Sequence, residues 1–232
     1  MKYLVSGKNS GLGKFLFDNL DECQGFGRND SLAFDTNSET TIIHCAFNKS
    51  NTVDDYYKYL DDNIFLTKSM LEDLAYKKFV YISSIDVYSE DKNIYATFKK
   101  FSESIVEKFP NTLILRCPTL IGNTMKPNHI HKIKEQVESL SLSEKSTFCY
   151  MNMQNIKDFL SEDLSNFSGV IDFVPIDKTE LSEVKTFFKS STKLGNYTYT
   201  THTEHFQNPI YNLGEKYNWK SFDNFVRYVS SF

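Results

Sequence analysis

Arginine is nearly absent from this 232-residue chain, occurring only as Arg28, Arg116 and Arg227. Lysine is the default cation, so each arginine marks a position to follow. An excess of positive charge is lacking too. The formal net charge is −4, which argues against a general nucleic-acid binder. No apolar run reaches the roughly 20 residues of a membrane-spanning helix, so no membrane partner is expected. Cys23, Cys45, Cys117 and Cys149 are scattered without C-x-x-C spacing and read as reduced thiols of a cytoplasmic protein. His129 and His131 alternate, which is poor spacing for a helical metal pair, and no metal site is expected. Met1-Lys-Tyr-Leu-Val enters a strand pattern at once, without the look of a secretory signal. Internal repeats and low-complexity linkers are missing. What remains, 40% hydrophobic and 24% charged, is ordinary globular composition for one sizeable domain, or one domain with a small appendage.

The order of elements carries more. Tyr3-Leu-Val5 is a short apolar run, followed by Ser6-Gly7-Lys8-Asn9-Ser10-Gly11-Leu12-Gly13 and then a helical pattern, Lys14 to Leu20. Strand, glycine-rich turn and helix form the context in which G-x-x-x-G-x-G reads as a dinucleotide cradle. Glycines let a pyrophosphate approach the backbone, and the helix N-terminus supplies free N–H groups. Residues 7 to 13 are therefore candidate cofactor contacts. Cys23 to Arg28 reads as the second strand with Arg28 at its tip. An arginine there, in place of an acid, accommodates the 2′-phosphate of NADP, and Lys8 is a second candidate cation. NADP is expected over NAD. Ser31 to Asp35 reads as a third short strand. Thr36 to Thr40 is too short for a crossover helix before the strand Thr41 to Phe47. A long helix is expected over 53–75, a strand at Thr112 to Cys117, and a stop at Pro118. This alternation predicts an α/β fold, a doubly wound parallel sheet of the Rossmann kind. Beyond Gly122 the pattern loosens into helices near 130–142, 154–164, 179–189 and 221–230, with strands near 148–153 and 169–175.

The central stretch holds the chemistry. Phe79-Val-Tyr-Ile82 reads as a buried strand ending in Ser83 and Ser84. A polar loop follows, and Tyr95-Ala-Thr-Phe-Lys99 opens a helix running to about Phe109. Tyr95 and Lys99, four apart, share a helix face. A free phenol has a pKa of about 10, and a neighbouring ammonium should lower it. A serine hydroxyl could hold a carbonyl oxygen beside that phenol. These are the parts needed to move a proton on or off a carbinol oxygen while a hydride moves elsewhere. Ordinary helix surfaces also produce Y-x-x-x-K, so its weight comes from the rest of the chain.

Taken in order, these motifs resemble the short-chain dehydrogenase/reductase superfamily, most of all its extended branch of NAD(P)-dependent sugar epimerases, dehydratases and ketoreductases. Phe34-Asp35 resembles the family's adenine-contacting acid, and Ile42-Ile-His-Cys-Ala46 the strand "VIHLAA" that lines the cofactor ribose. Asn63 falls where the family has a helix asparagine supporting the active site. Tyr81 to Tyr88 resembles "YISSxxVYG", which maps the catalytic serine onto Ser84. Arg116 to Gly122 resembles "RPxxVYG", with Pro118 near the nicotinamide, and Asn155-Ile-Lys-Asp158 resembles "VxDxA". The resemblance implies Tyr95 as acid/base, Lys99 as ribose ligand and pKa partner, and Ser84 as carbonyl polariser. It also implies a nicotinamide cofactor and a sugar or nucleotide-sugar substrate. Residues 1–122 and about 154–178 would form the NAD(P)-binding domain. Residues about 123–153 and 179–232 would form a small substrate-binding part intertwined with it. Relatives often dimerise through the helices corresponding to 53–75 and 95–109, so a homodimer is a candidate assembly. Three features depart from the pattern. The glycine spacing is that of the shorter branch, Ser89 replaces the usual glycine, and only 11 residues separate Ser84 from Tyr95. Reduction and epimerisation both stay open. The alternative reading is a non-catalytic NADP-binding sensor or scaffold.

Overall fold

The computed structural model describes residues 2–28, 30, 34–48, 56–89 and 93–229. In chain order, β1 (Tyr3–Ser6) leads into α1 (Gly11–Asn19), β2 (Cys23–Phe26) and β3 (Thr41–His44). A continuous helix follows, made of α2 (Tyr56–Leu60), a π-helical turn (Asp61–Phe65) and α3 (Leu66–Asp73). Next come β4 (Lys78–Ser84), a 3₁₀ turn (Ile85–Tyr88), α4 (Ile94–Val106), β5 (Thr112–Cys117) and β6 (Thr119–Ile121). The later elements are α5 (His129–Lys134), β7 (Thr147–Phe148), β8 (Tyr150–Asn152), α6 (Met153–Leu160), β9 (Gly169–Asp172), β10 (Thr179–Glu180), α7 (Leu181–Phe187) and α8 (Ser221–Val229).

The chain divides into two compact units. Unit 1 holds Met1–Cys117 and Met153–Asp172, and unit 2 holds Pro118–Asn152 and Phe173–Phe232. Unit 1 is built on a six-stranded sheet of order β2-β1-β3-β4-β5-β9, with every neighbouring pair parallel. Its strands read as apolar runs because both faces are covered; Leu4, Val5, Ile42, Ile43, Phe79, Val80, Leu113 and Leu115 have no exposed surface. From β1 the chain steps outward to β2 and then back to the other side at β3. The carboxyl ends of β1 and β3 therefore flank the topological switch point, where such sheets bind ligands. Unit 2 has only short ladders, β6 with β8 and β7 with β10, around Ile121, Ile133, Phe148, Tyr150, Leu181 and Phe225.

Two expectations need correction. The helix read over 130–142 stops at Lys134, and Gln136 turns with φ 53°. Residues beyond it pair their backbone with a distant segment instead, Leu140 N–H to Lys193 O at 2.9 Å and Ser143 N–H to Tyr197 O at 2.7 Å. Long-range pairing overrides the local helical pattern there. Of the strand read at Ser31–Asp35, residues 31–33 lie outside the described residues, and Phe34 and Asp35 are in no strand. Among the described residues, no helix is long and apolar enough to cross a membrane.

Helix α4 buries two charged side chains, Lys99 and Glu103, on its sheet-facing side. Buried charges need dedicated partners. Glu103 has Arg116 of β5, a bidentate pair with Nε to Oε1 at 2.9 Å and Nη2 to Oε2 at 2.8 Å. Ser83 Oγ donates to Oε1 at 2.6 Å. The third guanidinium nitrogen, Nη1, donates to the Tyr88 hydroxyl, which donates onward to Asp172 Oδ1 at 2.9 Å. Burial alone would raise the Glu103 carboxyl, but Arg116 and Ser83 outweigh it and hold the group below the usual carboxylate range. Four neighbouring elements are thus tied by one guanidinium. Arg116→Ala should destabilise the protein by about 3–5 kcal/mol in urea titrations, because it strands the Glu103 charge in the interior.

Candidate active site

The glycine turn is built as a cradle. Gly7 has φ 78° and Gly11 φ 60°, a region that residues with a Cβ avoid. A Cβ on Gly7 would stand 3.0 Å from Ala46 N, and one on Gly13 would stand 2.4 Å from Gly7 O. Backbone therefore packs directly on backbone where β1, α1 and the exit of β3 meet. Ala46 N–H donates to Ser6 Oγ at 3.0 Å, which fixes that approach. Asn9 lies against Gly27, where a Cβ would come within 2.2 Å of the Asn9 Nδ2. Ser10 caps α1 in extended conformation, and Leu12 is buried.

The two candidate cations at the tip of β2 are both engaged. Lys8 pairs with Asp30 at 2.6 Å, and Arg28 pairs with Asp62 at 3.3 Å. Lys8 and the Gly27 N–H together hold the Asp30 carboxyl below its ordinary value. The Arg28 side chain remains 59% exposed. Asp35 is exposed, and Pro118 is the first residue of unit 2.

Ser84, Tyr95 and Lys99 come together at the end of β4. Ser84 caps the 3₁₀ turn, accepting from Asp86 N–H at 3.2 Å, and its hydroxyl is near enough to the Tyr95 phenol to lower its pKa. Asn93 caps α4 by accepting from Ala96 N–H at 2.9 Å, and so orients the turn that carries Tyr95. Of the loop between Ser84 and Tyr95, residues 90–92 lie outside the described residues. Lys99 is buried and donates to Ile82 O at 2.6 Å. Its ammonium sits 4.1 Å from the centre of the Phe47 ring, 4.8 Å from that of Tyr81 and 5.9 Å from that of Tyr95. Ring electrons and a carbonyl stabilise the charge.

The phenol departs from the expectation drawn from Tyr95-x-x-x-Lys99. Tyr95 is half-buried overall, but its hydroxyl lies deep among protein atoms. Burial raises it well above the ordinary phenol value, and Asp86 raises it further. The nearby Ser84 hydroxyl offsets only part of the rise. The Lys99 ammonium, which donates to Ile82 O and stands over Phe47, does not outweigh burial.

Asn63 is placed by the π-helical turn, a feature often found at functional sites. Its Oδ1 accepts from Asn48 N–H at 2.6 Å, and its Nδ2 donates to Asn48 O at 3.2 Å, which clamps the segment leaving β3. Its backbone carbonyl accepts from Thr67 Oγ1 at 2.6 Å. Ser6 and His44 stand inside motifs quoted from the sequence but had no role of their own there, and Thr67 escaped the reading altogether. His44 Nδ1 lies 2.6 Å from Ser6 Oγ, and Nε2 lies 2.9 Å from Thr67 Oγ1. The available signal was a histidine inside the otherwise apolar run Thr41-Ile-Ile-His, since a buried imidazole must find partners on both nitrogens. In unit 2, His129 stacks on Phe148 at 4.1 Å and bonds the Tyr150 hydroxyl at 2.9 Å. His131 joins the cap of α5. The donor atoms of His202, Glu204 and His205 lie within 4.8 Å of one another, but they share one solvent-facing turn, and His202 and Glu204 are already paired at 2.8 Å.

Burial pushes His44 down to about 3 and His129 down to about 4. Both are neutral in the folded protein, whereas an unfolded histidine protonates near 6.5. The unfolded chain therefore binds more protons below that pH, and stability falls as pH drops from about 6.5 toward 4. Each histidine contributes at most about 1.4 kcal/mol per pH unit. Urea midpoints measured at pH 7 and pH 5 should show this slope, and His44→Gln should flatten it by roughly half.

No family model and no curated protein sequence matches the chain. Solved structures do. A dTDP-4-dehydrorhamnose reductase from Clostridium acetobutylicum superposes with TM-score 0.74 at 16% identity, covering 99% of each chain. The dTDP-4-dehydrorhamnose reductase of Bacillus anthracis, solved with NADP, gives 0.70 at 18% identity over 100% of both chains. The UDP-glucuronic acid 4-epimerase of Bacillus cereus, solved with UDP-glucuronic acid and NAD, gives 0.67 at 18% identity over 90% of this chain and 88% of the other. With its parallel six-stranded sheet and flanking helices, the chain shares the Rossmann-like α/β fold of these structures.

Proposed function

We propose that the protein is an NADP-dependent oxidoreductase acting on a carbonyl of a sugar or nucleotide-sugar. One observation carries this reading: Ser84 and Tyr95, brought from a strand end and a helix start, lie close enough for the serine to act on the phenol, and the buried Lys99 ammonium stands 5.9 Å from the centre of the same ring. The cradle of Gly7, Gly11, Gly13 and Ala46 fits a dinucleotide, since a Cβ at Gly7 or Gly13 would fill the close backbone approach. When bound, the nicotinamide supplies or accepts the hydride. Ser84 then holds the substrate oxygen, and Tyr95 gives a proton to it as the carbonyl becomes a carbinol. Lys99 keeps a positive charge near the phenolate that results and binds the cofactor ribose. Asn63 holds the chain leaving β3 in place.

The phenol is kept protonated by burial and by Asp86, which is the form that donates. That favours reduction over an oxidation-first epimerisation. The reduction rate should accordingly show no alkaline loss below about pH 10, the ordinary phenol value. With NADPH and a panel of keto-sugar nucleotides, the purified protein should consume the reduced nicotinamide absorbance. Tyr95→Phe should lower kcat by about 10²–10⁴-fold. Full activity in that variant would remove Tyr95 from the mechanism, and cofactor binding without turnover across the panel would favour a sensor or scaffold.

Arg28 and Lys8 are the proposed ligands of the 2′-phosphate. Their present ion pairs are solvent-screened and weak, so a phosphate dianion can compete for them. Arg28→Ala should weaken NADPH binding at least about tenfold more than NADH binding, as read by titration of nucleotide fluorescence. Equal losses would mean that Arg28 does not discriminate. The exposed Tyr56, Tyr57, Phe65 and Phe101 on α2, the π-helical turn and α4 are the proposed homodimer face.

A further inference from the structure

We infer that His44 is a positioning residue: its imidazole joins the glycine turn to the Asn63 segment in one directional relay of hydrogen bonds and so holds the nicotinamide-nucleotide cradle closed. The inference rests on the dinucleotide reading of that cradle.

The direction of each bond follows from the donors available. Thr67 Oγ1 gives its only proton to the Asn63 carbonyl at 2.6 Å, so toward His44 it can only accept. His44 Nε2 must then carry the proton of the 2.9 Å contact with Thr67. An imidazole holding its proton on Nε2 presents Nδ1 as an acceptor. Ser6 Oγ accordingly donates across the 2.6 Å contact with Nδ1 and accepts from Ala46 N–H at 3.0 Å. The relay runs from Ala46 N–H through Ser6, His44 and Thr67 to Asn63 O, and every proton on it has one acceptor. All three relay side chains are buried: Ser6 and Thr67 have no exposed surface and His44 1%.

The ends of the relay lie where the cofactor is expected. Ser6 immediately precedes Gly7, whose hypothetical Cβ would stand 3.0 Å from Ala46 N. Asn63 holds Asn48 through both side-chain atoms, one residue beyond the Phe47 ring that faces Lys99. One imidazole therefore spans β1, β3 and the helix containing the π-helical turn. A hydrophobic ring of similar size would leave both the Ser6 proton and the Thr67 acceptor without partners in a dry interior. Each such loss is worth roughly tenfold in an equilibrium constant.

The test uses the full chain. In ¹⁵N-labelled protein, the His44 ring should show the Nε2–H tautomer and no titration between about pH 5 and 8. An Nδ1–H ring, or one titrating near the ordinary histidine value, would overturn the relay, and this readout needs no variant. NADPH affinity is then measured for Ser6→Ala, Thr67→Val and the double variant. Ser6 and Thr67 each bond the imidazole, so their effects should be non-additive in the presence of His44 and additive in a His44→Phe background. Additive losses with His44 in place would overturn the inference. His44→Phe should weaken NADPH roughly 10- to 100-fold, and His44→Gln, which retains a donor and an acceptor, should recover part of that loss. Wild-type affinity in His44→Phe would also overturn it. If the wild-type protein binds no nicotinamide nucleotide, the dinucleotide reading fails on its own. The relay is then decided by the ring tautomer and by the Ser6–Thr67 coupling in urea stability.

Discussion

The interaction on which unit 1 depends is the buried pair of Arg116 with Glu103. A guanidinium in a protein interior is tolerable only where several oxygens face it. Here two carboxylate oxygens and a tyrosine hydroxyl do so. In meeting that need, the fold joins β5 to α4 through Glu103, to β4 through Ser83, and to the 3₁₀ turn through Tyr88, with Asp172 of β9 closing the set. Ser84 adjoins Ser83, and Tyr95 lies two helical turns from Glu103 on the same face of α4. The spacing between the serine and the phenol is thus set from beneath by an ion pair that takes no part in the proposed chemistry.

The two charged residues on the inner face of α4 are handled differently. Glu103 receives an opposite charge. Lys99 receives a carbonyl and three ring faces, which lower the energy of the ammonium. Its charge is felt as far as Cys45, Cys117 and His44. The Tyr95 phenol, by contrast, is governed by burial and by Asp86 and stays protonated. In the proposed reduction, that phenol is the proton donor.

Much of this was legible in the chain. The parallel sheet followed from apolar runs alternating with helical patterns. The glycine turn was legible because Gly7, Gly11 and Gly13 stand between a strand and a helix, where their backbone approaches have no substitute. Tyr95 and Lys99 share a face by spacing alone. Other features were not legible. The π-helical turn that turns Asn63 inward leaves no mark in an amphipathic pattern. The early end of α5 goes with backbone pairing of the following residues to a segment more than fifty positions away. Arg28 and Lys8 were visible as cations, but their pairing with Asp62 and Asp30 was not, since those acids lie on another element or past a turn.

By itself, then, the sequence determined the residue types and their order: the glycines, the serine at the end of β4, the Tyr95–Lys99 spacing, and a histidine inside an apolar strand. Periodicity and turn chemistry act over a few residues, so these properties can be read locally. The tertiary structure alone decided the partners. It sent the Lys99 ammonium to a carbonyl and to ring faces, raised the phenol by burial, and placed His44 between Ser6 and Thr67. Hydrogen bonds and desolvation depend on which atoms meet in space, and that is settled only when the whole sheet has assembled.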